Sequence, residues 1–200
     1  MKKIKNKVIL ITGAGKGMGR LLAEKLAGRG AVIAANDISP VNVEDTVKVI
    51  NAGGGSAKAY VEDVAKKVGA QALIKEVEDD FGAIDVLINH AAVKPRASLL
   101  DMDEWDWHRT LDVNLTGAFL MIQSVGRIMR EQGGGVIISL VPGAGERSEE
   151  EAGSYLASKA GLVELSRQAD RELRPYGIRV IAVESSGDVA KNVLSILEEQ

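Results

Sequence analysis

Tyr155 and Lys159 lie four residues apart in Tyr155-Leu156-Ala157-Ser158-Lys159, a spacing that puts a phenol and an ammonium on one face of a helix. A neighbouring ammonium favours the phenolate, which brings the phenol toward the range where it exchanges a proton with a carbinol oxygen. On an arbitrary helix the same pair would be a surface contact, so its meaning depends on what precedes it. Far upstream, the apolar run Val8 to Thr12 leads into Gly13-Ala14-Gly15-Lys16-Gly17-Met18-Gly19 and then into the helical stretch Arg20 to Ala27. Glycines between a strand and a helix let backbone N–H groups and the positive helix end approach a pyrophosphate. Asp37 follows the next apolar run, 18 residues after Gly19. A carboxylate there accepts hydrogen bonds from ribose hydroxyls and repels a 2′-phosphate, which favours NAD over NADP. Lys16 argues mildly the other way, because a cation in the turn can pair with that phosphate. Asp37 alone reads equally well as a helix cap; the glycine turn decides for the cofactor.

Positioning these groups requires a sheet with helices on its faces. Short runs rich in β-branched residues alternate with longer amphipathic stretches, the pattern of repeated βαβ units. Strands are expected near 8–12, 31–36, 57–61, 84–89, 135–141 and 178–183, and helices near 17–29, 41–51, 65–80, 103–130, 153–173 and 188–199. Gly53-Gly54-Gly55 and Gly133-Gly134-Gly135 fall between a helix and the next strand. Right-handed crossovers growing outward from the first strand give a doubly wound, three-layer α/β Rossmann sheet of order 3-2-1-4-5-6, with the site at its carboxyl edge. No linker or repeat divides the 200 residues, so one domain is expected.

Composition narrows the function classes. The chain is 46% hydrophobic but only 4% aromatic, as expected for a Val/Ile/Leu/Ala core between sheet and helices. Its formal charge of -3, with both signs interspersed, offers no basic surface for nucleic acid. The absence of cysteine removes disulfides, thiolate nucleophiles and thiolate metal sites, and suits a reducing cytoplasm. Val8 to Thr12 is too short for a signal peptide or a membrane span, so a cytoplasmic location without membrane association is expected. His90 and His108 have no partner at metal-ligand spacing, so no metal site is expected. Trp105 and Trp107 cannot share a helix face, and at least one is expected to anchor packing or a subunit contact.

Over nearly its whole length the chain resembles the short-chain dehydrogenase/reductase family. Thr12 to Gly19 matches that family's TGxxxGxG turn, Asp63-Val64 its adenine-side pair, and Asn89-His90-Ala91-Ala92 its NNAG motif with two departures. Asp112-Val113-Asn114-Leu115-Thr116-Gly117 matches the segment carrying its catalytic-site asparagine, and Tyr155 with Lys159 its YxxxK. The resemblance implies a catalytic set of Asn114, Tyr155 and Lys159. Tyr155 would be the general acid/base; Lys159 would bind the nicotinamide ribose and depress the Tyr155 pKa; Asn114 would hold a water in a proton relay. It implies cofactor contacts from Gly13, Gly15, Lys16, Gly17, Met18, Gly19, Asp37, Asp63, Val64, Asn89, Ala91, Tyr155 and Lys159. Hydride would pass between the nicotinamide and a small-molecule alcohol or carbonyl substrate. Helices near 103–130 and 153–173 would pack a homodimer, or with a second interface a homotetramer.

The pattern also breaks. The family's catalytic serine stands 13 residues before the tyrosine, where this chain has Pro142. Ser139, three residues earlier on the strand, would need an unusual backbone path to replace it. Glu184-Ser185-Ser186-Gly187 stands where the family has a Pro-Gly turn, and Asp188 to Gln200 follows without the substrate loop and seventh strand usual in the family. A reduced lid is therefore expected, or a chain shortened relative to its parent. Glu146, Glu149, Glu150 and Glu151 read as a solvated loop rather than a site for cationic substrates. The breaks motivate a rival to the enzyme: a catalytically impaired dinucleotide-binding protein acting through association.

Overall fold

The computed structural model describes residues 4–199. Among them are six strands, β1 (Val8–Thr12), β2 (Val32–Asn36), β3 (Ser56–Tyr60), β4 (Val86–Asn89), β5 (Gly135–Val141) and β6 (Ile178–Glu184). They form one parallel sheet of order β3-β2-β1-β4-β5-β6, as the alternation of elements predicted. Register places Val8 opposite Val32 and Ile9 opposite Val86, so β1 is central.

All five residues of β1 are buried, because helices cover both faces of the sheet. Ile9 and Ile11 point with Ile33, Ile88 and Ile138 into a core closed by α1 (Gly17–Ala27), α2 (Pro40–Ala52) and α8 (Val189–Glu198). Val8 and Leu10 point with Leu87 and Ile137 into the opposite core, closed by α3 (Lys67–Phe81), α5 (Ala118–Gln132) and part of α7 (Gly153–Leu173). The period-2 alternation of strand side chains thus supplies two cores from one apolar run. Truncating the fully buried Leu10 to alanine removes about 2–5 kcal/mol of stability.

Helix starts follow local chemistry. Ser39 Oγ accepts from Asn42 N ahead of Pro40 at the start of α2, and Asp103 accepts from Trp105 N at the start of α4 (Glu104–Leu111). The helix expected over 103–130 is present over 104–132, with a π-helical turn, Asp112–Gly117, between α4 and α5. Such a turn is wider than an α-turn by one residue and frequents functional sites. The turn holds Asn114, and Gly117 lets it pack close, since a Cβ there would lie 3.1 Å from the Val64 carbonyl oxygen. A four-residue helix, α6 (Ala144–Arg147), follows β5 and was not expected, being too short for periodicity to reveal. No described helix is long and apolar enough to cross a membrane.

Candidate active site

The carboxyl ends of β1, β2, β3 and β4 open onto a cleft of about 580 Å³. The glycine turn forms its base. Gly13 has φ +68°, a left-handed conformation that suits glycine, and a Cβ on Gly19 would sit 2.7 Å from His90 Nδ1 and against the Gly13 carbonyl. The turn is braced from below by Thr12, whose Oγ1 accepts from His90 N and Ala91 N, each at 3.1 Å. His90 stands where the family motif has its second asparagine. Its Nδ1 lies 3.1 Å from the Gly13 carbonyl oxygen, and because a carbonyl only accepts, the proton is on Nδ1. Burial first, then the Lys159 charge, hold the imidazole pKa below its ordinary value, so the ring is neutral at pH 7.

Asp37 connects the turn to β2. One carboxylate oxygen accepts from Gly15 N and the other from Ser39 N, each at 3.0 Å. A carboxylate oxygen has two acceptor sites, so each retains one toward the cleft. Lys16 is exposed at the rim. Asp63 and Val64 line the side beyond β3, and Ala91 the side beyond β4, while Trp105, His108 and Arg109 of α4 form the far wall. Trp105 is 64% exposed with Arg109 over its ring, and Trp107 is half-buried. Gly13, Lys16, Asp37, Asp63, Val64 and Ala91 therefore share one cleft. Gly15, Gly17, Met18 and Gly19 belong to the turn and the first residues of α1 rather than to the lining, and Asn89 is buried behind it.

Tyr155 and Lys159 do not line that cleft. They stand on α7, joined to it through Asn114. The Asn114 amide accepts from Val93 N at 2.8 Å and donates to the Val93 carbonyl and to Ser158 Oγ, each at 3.0 Å. Val93 lines the cleft, so one buried side chain links the cleft wall to the helix between Tyr155 and Lys159. Three of its four hydrogen-bonding sites are taken, and one lone pair of Oδ1 remains.

Lys159 is 3% exposed and donates to the Leu140 carbonyl at 2.9 Å. Burial lowers its pKa to about 8. Tyr155 departs from the expectation that Lys159 would depress the phenol. Its pKa is pushed up to about 12, by burial first and then by the negative charge of Glu146 and of Glu149. The hydroxyl faces Glu146 Oε2 at 3.4 Å, and Lys94 lies 4.8 Å from the ring centroid. Burial and the carboxylate at the hydroxyl both favour the neutral phenol. Glu146 is half-buried, in contrast to the solvated loop expected, whereas Glu150 and Glu151 are exposed. Pro142 is buried at the end of β5 and contributes no hydroxyl.

The chain matches the short chain dehydrogenase family over residues 7–193. It belongs to that family. An uncharacterized oxidoreductase of Thermotoga maritima is 40% identical over 177 residues, covering 88% of this chain and 70% of the relative. Among solved structures, an NAD+-bound xylitol dehydrogenase superposes with TM-score 0.87 at 32% identity, covering 96% of this chain and 76% of that one. A metagenomic short-chain oxidoreductase in complex with NADP superposes with TM-score 0.91 at 28% identity, covering 98% of this chain and 91% of that one.

Both polar side-chain atoms of Asn89 are buried without a partner, and the glycine turn is shaped so that Cβ atoms at Gly13, Gly15 and Gly19 would collide with its own supports. Backbone amides beside glycines, at the N-terminus of α1, have the donor chemistry a dinucleotide diphosphate needs. The residues present fit that group.

Proposed function

We propose that this chain is an NAD(H)-preferring oxidoreductase that interconverts an alcohol and its carbonyl compound, with NADP as a weaker alternative. The observation that carries the reading is the continuity of the site. The glycine turn and Asp37 face the same cleft as Val93, and Asn114 connects Val93 to the α7 turn bearing Tyr155 and Lys159. When bound, the nicotinamide supplies or accepts hydride at its C4. The amides of the turn beginning at Gly13 hold the diphosphate, and Asp37 accepts from the adenosine ribose and disfavours a 2′-phosphate. Asp63 and Val64 flank the adenine. Asn89 and Ala91 border the nicotinamide half. Lys159 would hold its ribose, and Tyr155 would exchange the proton with substrate oxygen. The remaining lone pair of Asn114 anchors the relay that carries that proton onward.

The chain is read as one dinucleotide-binding domain that forms a homodimer through α5 and α7. These helices border an apolar groove of about 310 Å³ lined by Phe119, Ile122, Gly126, Leu165, Ala169 and Leu173. The protein is read as cytoplasmic.

Fluorescence titration with NADH and NADPH, followed by a turnover screen over alcohols and ketones with Tyr155→Phe as control, tests the function. Tight NADH binding and turnover lost in the variant are expected. Binding without Tyr155-dependent turnover would leave the second reading, a dinucleotide-binding protein acting through association, which the buried Pro142 favours. A large gain of turnover in Pro142→Ser would support that reading, because restoring the hydroxyl would have repaired an impaired site.

A further inference from the structure

An acidic and a hydroxyl side chain from two other elements meet at the Tyr155 phenol. Glu146 of α6 presents Oε2 to the phenol at 3.4 Å, while its other oxygen accepts from Ser185 Oγ at 2.5 Å, just beyond β6. Three elements thus meet at one carboxylate: α7 through Tyr155, α6 through Glu146, and the β6 end through Ser185. Neighbouring charges are already engaged with each other. Arg147 pairs with Glu184 at 2.5 Å, and Glu149 is paired with Lys94 at 2.9 Å and with Arg96. Lys94 also lies over the Tyr155 ring, and Lys159 is turned to the Leu140 carbonyl. Among these groups, Glu146 is the carboxylate within hydrogen-bonding reach of the phenolic oxygen.

We propose that Glu146 is the positioning residue of Tyr155: its carboxylate, braced by Ser185, accepts the phenolic O–H and orients it. This rests on the oxidoreductase reading above. In the direction of carbonyl reduction, a phenol held this way is the proton donor. Hydride adds to the carbonyl carbon, the C=O π pair moves onto oxygen, and that oxygen takes the Tyr155 proton. The phenolate left behind lies beside an anion that disfavours it, and it recovers a proton from water. Pro142 supplies no hydroxyl beside the phenol, and Glu146 orients the phenol from a different element.

The test is ¹⁹F NMR of the full chain labelled with 3-fluorotyrosine, whose phenol is intrinsically more acidic than that of tyrosine. Tyr60, Tyr155 and Tyr176 give three resonances, assigned with Tyr155→Phe and Tyr60→Phe. Glu146→Gln is expected to lower the Tyr155 titration midpoint by about one pH unit, with the Tyr60 resonance unchanged over the same pH range. Glu149→Gln should move the Tyr155 midpoint by less than half as much, and Glu146→Asp should recover part of the wild-type value. An unchanged Tyr155 midpoint in Glu146→Gln, or a shift no larger than that of Glu149→Gln, overturns the proposal. The measurement needs neither substrate nor cofactor, so it stands or falls separately from the loss of Tyr155-dependent turnover that would remove the oxidoreductase reading.

Discussion

Lys159 Nζ donates to the main-chain carbonyl of Leu140 at 2.9 Å, from a side chain that is 3% exposed. Burial places its pKa at about 8, against roughly 10.4 for an unfolded lysine. Between those values the unfolded chain binds more protons than the folded one, so stability rises with pH through that window. Below about pH 8 both states are protonated, and the buried charge costs the fold on the order of 3 kcal/mol. Thermal melts of wild type and Lys159→Met at pH 7 and pH 9.5 should show wild type gaining on the variant as pH rises. A constant gap between the two would contradict the buried ammonium.

His90 gives the corresponding signature in acid. Its folded pKa lies below the ordinary value, so the unfolded chain binds more protons as pH falls from about 6.5, and stability is lost in that direction. Urea midpoints at pH 7 and pH 5 should therefore differ less in His90→Asn than in wild type. An equal fall in both proteins would place the acid sensitivity elsewhere.

Gly19→Ala introduces a Cβ against the Gly13 carbonyl and 2.7 Å from His90 Nδ1. The turn must move, so NADH affinity should drop by roughly tenfold or more, a change of about 1.4 kcal/mol. Gly145→Ala, where a Cβ meets nothing within 4 Å, should bind as wild type does. Calorimetry on the pair separates a specific clash from a general loss of glycine.

Asp37→Asn keeps an acceptor for Gly15 N but removes the charge. The ratio of NADH to NADPH affinity should fall by about tenfold, as expected when one nearby like charge on a phosphate is deleted. Asp37→Ala should lose NADH binding further, because the anchors to Gly15 and Ser39 go as well. Equal ratios in wild type and Asp37→Asn would show that another group sets the preference.

Phe119, 41% exposed on α5 at the groove beside α7, should be covered in a homodimer. Light scattering at micromolar concentration should give twice the chain mass for wild type and a monomer for Phe119→Glu. A monomeric wild type would remove the dimer.

What the residues revealed in advance has a physical pattern. The glycine turn was legible because its requirement falls on the backbone, and only one residue type meets it. The strand order was legible because apolar runs buried on both faces leave few ways to wind a parallel sheet. The surroundings of Tyr155 were not. Glu146 and Ser185 are 39 residues apart in sequence and meet through tertiary packing, so no spacing rule separates Glu146 from the exposed Glu150 and Glu151. The same holds for Asn114: its motif was visible, but the π-helical turn that carries it has no periodic signal.

That wide turn at Asp112–Gly117 places one extra residue in the middle of the helical stretch from Glu104 to Gln132. One residue removed from it would tighten the backbone around Asn114 to a regular helix and leave Trp105 and Phe119 in their present places. The same deletion made within α4 would instead turn everything upstream by about 100°. The wide turn is thus the point at which this segment absorbs a one-residue change in length without moving either wall it builds.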